Sequence, residues 1–239
     1  MKKFLWTGLI VGMLVTLCIF AYEWVIAISK EEEITIERDK AKSLAVTINF
    51  DAGDLVLQGG STNWLDAKFD AKKKRFLPNV KYDNKKDMGV LTVKQKSTIF
   101  GFNRSKRSNR WDIQLNNAIP IDLDVAMGVS KSILDLKGIQ LNKLTIAGGV
   151  GDSTIDFGNE WKNDLQAEIS IGVGKMTLLL PKQTGVKLII DRGLGELEMK
   201  DFIPLGNNVY VNEAYENNET SIEMDVNIGI GNLNVELVE

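Results

Sequence analysis

The sequence predicts an all-β fold: a β-solenoid-like repeat domain preceded by one N-terminal transmembrane helix. Three observations carry this. A glycine-marked turn recurs along the second half of the chain, apolar residues alternate with period two on both sides of each turn, and a long uncharged run lies near the start. Period-two spacing describes strands with one buried face.

The uncharged run comes first. Phe4 to Tyr22 is 19 residues without a charge. At ~1.5 Å per residue it reaches ~28 Å, close to the ~30 Å hydrocarbon core of a bilayer. Glu23 interrupts it and Trp24 to Ile28 continue it, while Trp6, Tyr22 and Trp24 stand near its ends, where aromatic rings favour the interface. A cleaved signal peptide would have a shorter apolar core and small residues before the cut, which Ile19-Phe20-Ala21 does not supply. A lipoprotein would use Cys18, but Leu17 precedes it where a small residue is normally required. Residues 1–29 are therefore expected to be an uncleaved single-span anchor in the cell membrane. Lys2 and Lys3 favour a cytoplasmic N-terminus, which places residues 30–239 outside the cytoplasm. Residues 30–43 mix basic and acidic side chains and read as a juxtamembrane linker.

Residues 44–239 read as the β-repeat domain. Its turns are Gly128-Val129-Ser130, Gly149-Val150-Gly151, Gly172-Val173-Gly174, Gly193-Leu194-Gly195 and Gly229-Ile230-Gly231, with Asp51-Ala52-Gly53-Asp54 as a distant copy. The first glycines are separated by steps of 21, 23, 21 and 36. Leu123/Val125/Met127 precede one turn and Leu134/Leu136 follow it; Ala167/Ile169/Ile171 and Met176/Leu178/Leu180 flank another. A strand, a glycine turn, a strand and a short return make one coil, and stacked coils place like residues at ~4.8 Å intervals. The step of 36 predicts an insertion over residues 203–220, rich in Asn and Glu, looping out from one face. A β-sandwich of antiparallel hairpins stays open as the alternative.

Composition narrows the chemistry. The chain has no histidine, and Cys18 is its one cysteine. This excludes Ser-His-Asp and Cys-His catalysis, Cys/His zinc sites and an intrachain disulfide. A phosphate-binding glycine loop needs a helix after the glycines, and here a strand follows each time. A calcium β-roll would need an acidic residue at Ser153, and the place of Asp152 is taken by Lys175 in the next copy. The glycines are therefore structural turns. Asp124, Asp135, Asp156, Glu168, Glu198 and Glu236 alternate with the buried positions, as a solvated strand face does, so a glycosidase pair is the weakest reading. No catalytic residue, metal or cofactor is expected.

Charge is unevenly spread. Residues 71–110 carry 13 basic and 2 acidic side chains, whereas residues 111–239 carry 9 basic and 20 acidic. Lys72, Lys73, Lys74 and Arg75 open the basic segment, and Arg104, Lys106, Arg107 and Arg110 close it around Ile99-Phe100-Gly101-Phe102. These cations are the candidate contact for anionic lipid or wall polymer, at ~1 kcal/mol per charge near a membrane surface. Nucleic acid is not an expected partner outside the cell.

Several motifs in order resemble the toastrack domain of bacterial envelope-stress proteins, found also at the C-terminus of Lia-type regulators that restrain a two-component system. They are Trp111-Asp112-Ile113-Gln114-Leu115, Ile119-Pro120-Ile121-Asp122-Leu123, Leu134-Asp135-Leu136, Leu141-Asn142-Lys143-Leu144, the Gly-x-Gly series, Tyr210-Val211-Asn212-Glu213-Ala214-Tyr215-Glu216-Asn217 and the terminal Ile228-Gly229-Ile230-Gly231 strand. Lia-type regulators carry several membrane spans, where this chain shows one. The resemblance implies a non-enzymatic membrane-anchored adaptor or sensor in the envelope-stress response, with an envelope or signalling protein as partner, and carries over no catalytic residue. The alternative is a structural or adhesive surface module that oligomerises or binds anionic wall polymers.

Overall fold

The structure is a computed structural model and describes residues 30–71, 74–95, 109–158 and 161–239. The expected anchor at residues 1–29 lies outside the described residues. Among the described residues, no helix is long and apolar enough to cross a membrane. The described chain is all-β: β1 (Lys30–Ile36), β2 (Ser43–Ser61), β3 (Leu65–Ala71), β4 (Pro78–Lys85), β5 (Met88–Gln95), β6 (Arg110–Asn116), β7 (Ile121–Asp135), β8 (Leu141–Asp156), β9 (Leu165–Pro181), β10 (Gly185–Leu194), β11 (Leu197–Met199), β12 (Phe202–Gly206), β13 (Val209–Asn212) and β14 (Ser221–Val238). One 3-10 turn spans Lys74–Phe76.

Strands β2, β7, β8, β9 and β14 are 15 to 19 residues long, well beyond the usual ~5–6. Their length follows from the glycine motif, which creases each strand while its parallel neighbours stay in register through the corner. The crease changes the parity of burial: Leu123, Val125 and Met127 face inward before it, Ser132 and Leu134 after it. Each strand so contributes to two arms that enclose one apolar core. Phe50 on the first arm meets Trp111 on the second edge to face, with ring centroids 4.9 Å apart. The G-x-G turns therefore join halves of one strand within parallel levels and are not the antiparallel hairpins of a sandwich.

The corners form one column: Gly53, Ser130, Gly151, Gly174, Gly231 and Gly195. At Gly174 φ is +143°, and an added Cβ would lie 1.8 Å from the Gly151 carbonyl oxygen of the level beneath. Only glycine fits so close an approach of backbone to backbone.

The column departs from chain order. β14 lies between β9 and β10, so the last two corners are exchanged. β14 carries Ile222, Met224, Val226, Ile228, Leu233 and Val235 into the core without a break, and an uninterrupted strand buries best between two neighbours. The broken pair β10 and β11, bearing exposed Asp191 and Arg192, takes the outer place. The step of 36 has the same origin. Residues 203–220, expected to loop out, include most of the hairpin β12–β13, whose second strand pairs with β10 and closes the end of the first arm.

The other end also differs from expectation. Residues 30–43 are not a free linker: β1 pairs antiparallel with β3 along its whole length. Glu32, at the same parity as Ile34 and Ile36, hides the alternation, but Ile34 and Ile36 pack against the core. Residues 37–42 then cross from the second arm to the first. Asp39 in this crossing accepts hydrogen bonds from Asn84 Nδ2 (2.6 Å), the Ala41 amide (2.9 Å), Trp64 Nε1 (3.0 Å) and the Tyr82 hydroxyl (2.9 Å). These donors, Asn84 first, hold its carboxyl well below the usual carboxylate range. Burial, and then the Asp39 carboxylate, push the Tyr82 hydroxyl up to about 12 from 10.0.

The folded state therefore keeps the Tyr82 proton where the unfolded chain loses it. Its contribution to stability is complete below pH 10.0 and declines as pH rises toward about 12. Tyr82→Phe is expected to unfold at lower urea than the parent at neutral pH and to lose less on going to alkaline pH. Equal alkaline losses in the two proteins would contradict this assignment.

A candidate contact edge along the glycine crease

The middle residue of each corner points outward. Val129, Val150, Val173, Ile230 and Leu194 are 53%, 49%, 42%, 53% and 73% exposed. They follow one another in register across β7, β8, β9, β14 and β10. Four steps of ~4.8 Å give an aliphatic ladder ~19 Å long. Beside it runs a charged column, Asp54, Lys131, Asp152, Lys175, Asn232 and Glu196, in which the first four signs alternate from level to level. Alternation avoids the repulsion of like charges directly opposite each other. The ladder is the part that glycine spacing concealed: in the five corners from Gly128 onward the middle residue is Val, Leu or Ile, with Ala52 in the distant copy, and that regularity was the available signal.

Strand directions bring the start of the described chain to this same edge. Asp54 pairs with Arg110, Arg110 with Asp70, and the adjoining Ala71 with Lys30. On the other arm Asn49 pairs with Lys94, and Gln95 with Pro78. Ala71 and Lys74, which flank residues 72–73, and Gln95 and Asn109, which flank the longer segment 96–108, therefore stand at the crease edge. A buried clasp holds the base of the longer one: Asn109 Nδ2 donates to Gln95 Oε1 and to the Ala52 carbonyl, both at 3.2 Å, and Trp111 Nε1 donates to Asn109 Oδ1 at 3.1 Å.

Among the candidate cations, Lys74 is exposed in the 3-10 turn, and the Arg75 backbone belongs to the same turn. Arg110 opens β6 with its guanidinium on Asp112, Nε at 2.8 Å and Nη2 at 2.6 Å, and that hydrogen bonding raises its pKa further. It is already engaged within its own strand. Lys72, Lys73, Arg104, Lys106 and Arg107 lie outside the described residues. Among the described residues, no group of three or more His, Cys, Asp and Glu is placed to hold a metal ion.

At the far end of the stack, a groove of about 600 Å³ opens beside the last corner, lined by Ile190, Arg192, Leu197, Asn208, Tyr210 and Ile228 among others. Its rim is fixed by Asn208, whose Nδ2 donates to Asp191 Oδ1 (3.1 Å) and whose carbonyl accepts from the Ile190 amide (2.9 Å). The groove is bordered by Asp191, Arg192, Asn208 and Asn227, and Leu194, Ile203 and Leu205, on β10 and β12 at this end of the stack, are 73%, 52% and 60% exposed.

Residues 26–179 match the family described as the N-terminal domain of toast_rack, DUF2154. Among solved structures, a candidate cell adhesion protein from Clostridium sporogenes is 29% identical, with 88% of this chain and 100% of that chain covered and a TM-score of 0.82. A candidate adhesin from Bacteroides fragilis is 9% identical over 87% of this chain and 97% of that one, with a TM-score of 0.30. No curated protein matches the chain.

Proposed function

Because the chain belongs to the toast_rack family through that N-terminal domain, we propose that it is a non-enzymatic contact protein of the bacterial envelope, an adaptor or sensor in the response to envelope stress. It is held by a single span within residues 1–29, with its solenoid-like domain outside the cytoplasm. The observation that carries this reading is the exposure of Leu194, Ile203 and Leu205 on β10 and β12, the strands that close this end of the stack. Large exposed side chains gathered on one rigid end mark a protein–protein contact more readily than a reaction centre. The partner is an envelope or signalling protein that covers Leu194, Ile203 and Leu205.

The test is the double variant Ile203→Asp/Leu205→Asp in the full-length protein. Both side chains stand in solvent, so thermal unfolding is expected to stay within a few degrees of the parent. An antibiotic-induced envelope-stress reporter is expected to change at least about tenfold in sensitivity, the usual consequence of charging an interface anchor. A reporter response equal to the parent's would exclude this surface.

A second reading has its own support, since the 29%-identical structure is that of a candidate cell adhesion protein. In that case the domain binds surface polymers or neighbouring cells, with the cations Lys72, Lys73, Lys74, Arg75, Arg104, Lys106 and Arg107 contributing. Adhesion of expressing cells, weakened by salt, distinguishes it from the adaptor reading.

A further inference from the structure

We infer that the crease edge of the domain lies along the outer surface of a phospholipid bilayer, with Val129, Val150, Val173 and Ile230 seated among the lipid headgroups. The inference rests on the proposed anchor. Tyr22, the last residue of the uncharged run, is separated from Lys30 by seven residues, Glu23 to Ser29. A chain of that length spans at most ~25–30 Å when fully extended. Lys30 opens β1 at the crease edge, so the tether delivers this edge, and not the opposite one, to the bilayer.

Two further features fit the same surface. Lys30 and Lys74 are exposed there, and residues 72–73 and 96–108, whose described neighbours Ala71, Lys74, Gln95 and Asn109 stand at this edge, carry six basic and no acidic side chains, a composition suited to anionic headgroups. Exposed apolar side chains are also concentrated at the crease: of the ten large ones among the described residues, five are the corner residues Val129, Val150, Val173, Ile230 and Leu194. A ladder of isolated aliphatics is a weak membrane ligand for a free domain. Tethering raises the effective concentration of the surface, so a weak contact suffices to orient the domain. The charged column beside the ladder stays within reach of headgroups and water.

The probe is the full-length chain in a Cys18→Ser background, carrying a single environment-sensitive fluorophore on Val150→Cys, Val173→Cys or Asn163→Cys. Asn163 is exposed in the return between β8 and β9, at the opposite edge. The chain is placed in vesicles of phosphatidylglycerol and phosphatidylcholine containing a shallow nitroxide lipid. Both ladder positions are expected to be quenched at least about twofold more than Asn163→Cys, as interfacial insertion requires. Equal quenching at the three positions, in chains that resist carbonate extraction, overturns the docking while leaving the anchor intact. Release by carbonate overturns the anchor itself. Disulfide-linked dimers of the unlabelled Val150→Cys chain under mild oxidation, with no quenching in the labelled one, would assign the ladder to a second copy of the chain and also overturn the inference.

Discussion

Gly174→Ala is expected to abolish the native fold of the domain or to cost more than ~4 kcal/mol, among the largest effects of a single substitution. The methyl group would stand 1.8 Å from the Gly151 carbonyl oxygen and 2.7 Å from its carbon. Both are backbone atoms of a paired strand, so relief requires two levels to separate. The φ of +143° adds strain of its own. Gly60→Ala separates the two causes: its φ is +102° and nothing lies within 4 Å of the added carbon. That variant is expected to lose only the ~1–3 kcal/mol of an unfavourable backbone conformation. Urea unfolding of the two proteins, followed by tryptophan fluorescence, makes the comparison. A Gly174→Ala protein as stable as the Gly60→Ala protein would mean that the levels do not approach as closely as the column requires.

Trp111→Ala is expected to cost about 3–5 kcal/mol, the range for truncating a large buried aromatic. Trp111 is 0% exposed and packs edge to face on Phe50 and Phe69, with centroids at 4.9 and 5.4 Å. It joins the two arms near the crease, and its Nε1 satisfies Asn109. Trp111→Phe keeps a ring against both neighbours and removes only the donor, leaving the Asn109 Oδ1 short of a partner. Its expected cost is about 1–3 kcal/mol. Unfolding free energies for the pair divide packing from hydrogen bonding, and an equal loss in both would contradict that division.

The glycine motif and the alternation around it made the all-β fold and the parallel levels legible, because both are local consequences of backbone geometry. Gly149-Val150-Gly151 looks like a corner wherever it occurs. Which corner lies next to which is not local. The exchange of β14 and β10 depends on comparing how completely two strands bury themselves, and the repeat treats them as equals. β1 was concealed for a different reason: three consecutive glutamates, Glu31 to Glu33, suggest a solvated tether, although Ile34 and Ile36 supply the inward face. Of the candidate contact, the basic segment was visible as composition. The aliphatic ladder was present in the sequence as the middle letters of the corners, but its exposure depends on the outward turn at the crease. The convergence of Lys30, Lys74, Gln95 and Asn109 on that edge required the pairing register.

Strand order at the crease is the feature on which both contact surfaces depend, and paired cysteines read it directly. Lys175 lies directly beside Asn232 in the column, whereas Glu196 is one level further. Adjacent levels lie ~4.8 Å apart, within the Cα separation of a disulfide, and two levels at ~9.6 Å are beyond it. In a Cys18→Ser background, mild oxidation is expected to close Lys175→Cys/Asn232→Cys and to leave Lys175→Cys/Glu196→Cys reduced. Efficient closure of the second pair and not the first would restore chain order to the stack and contradict the placement of β14, the end groove and the ladder together.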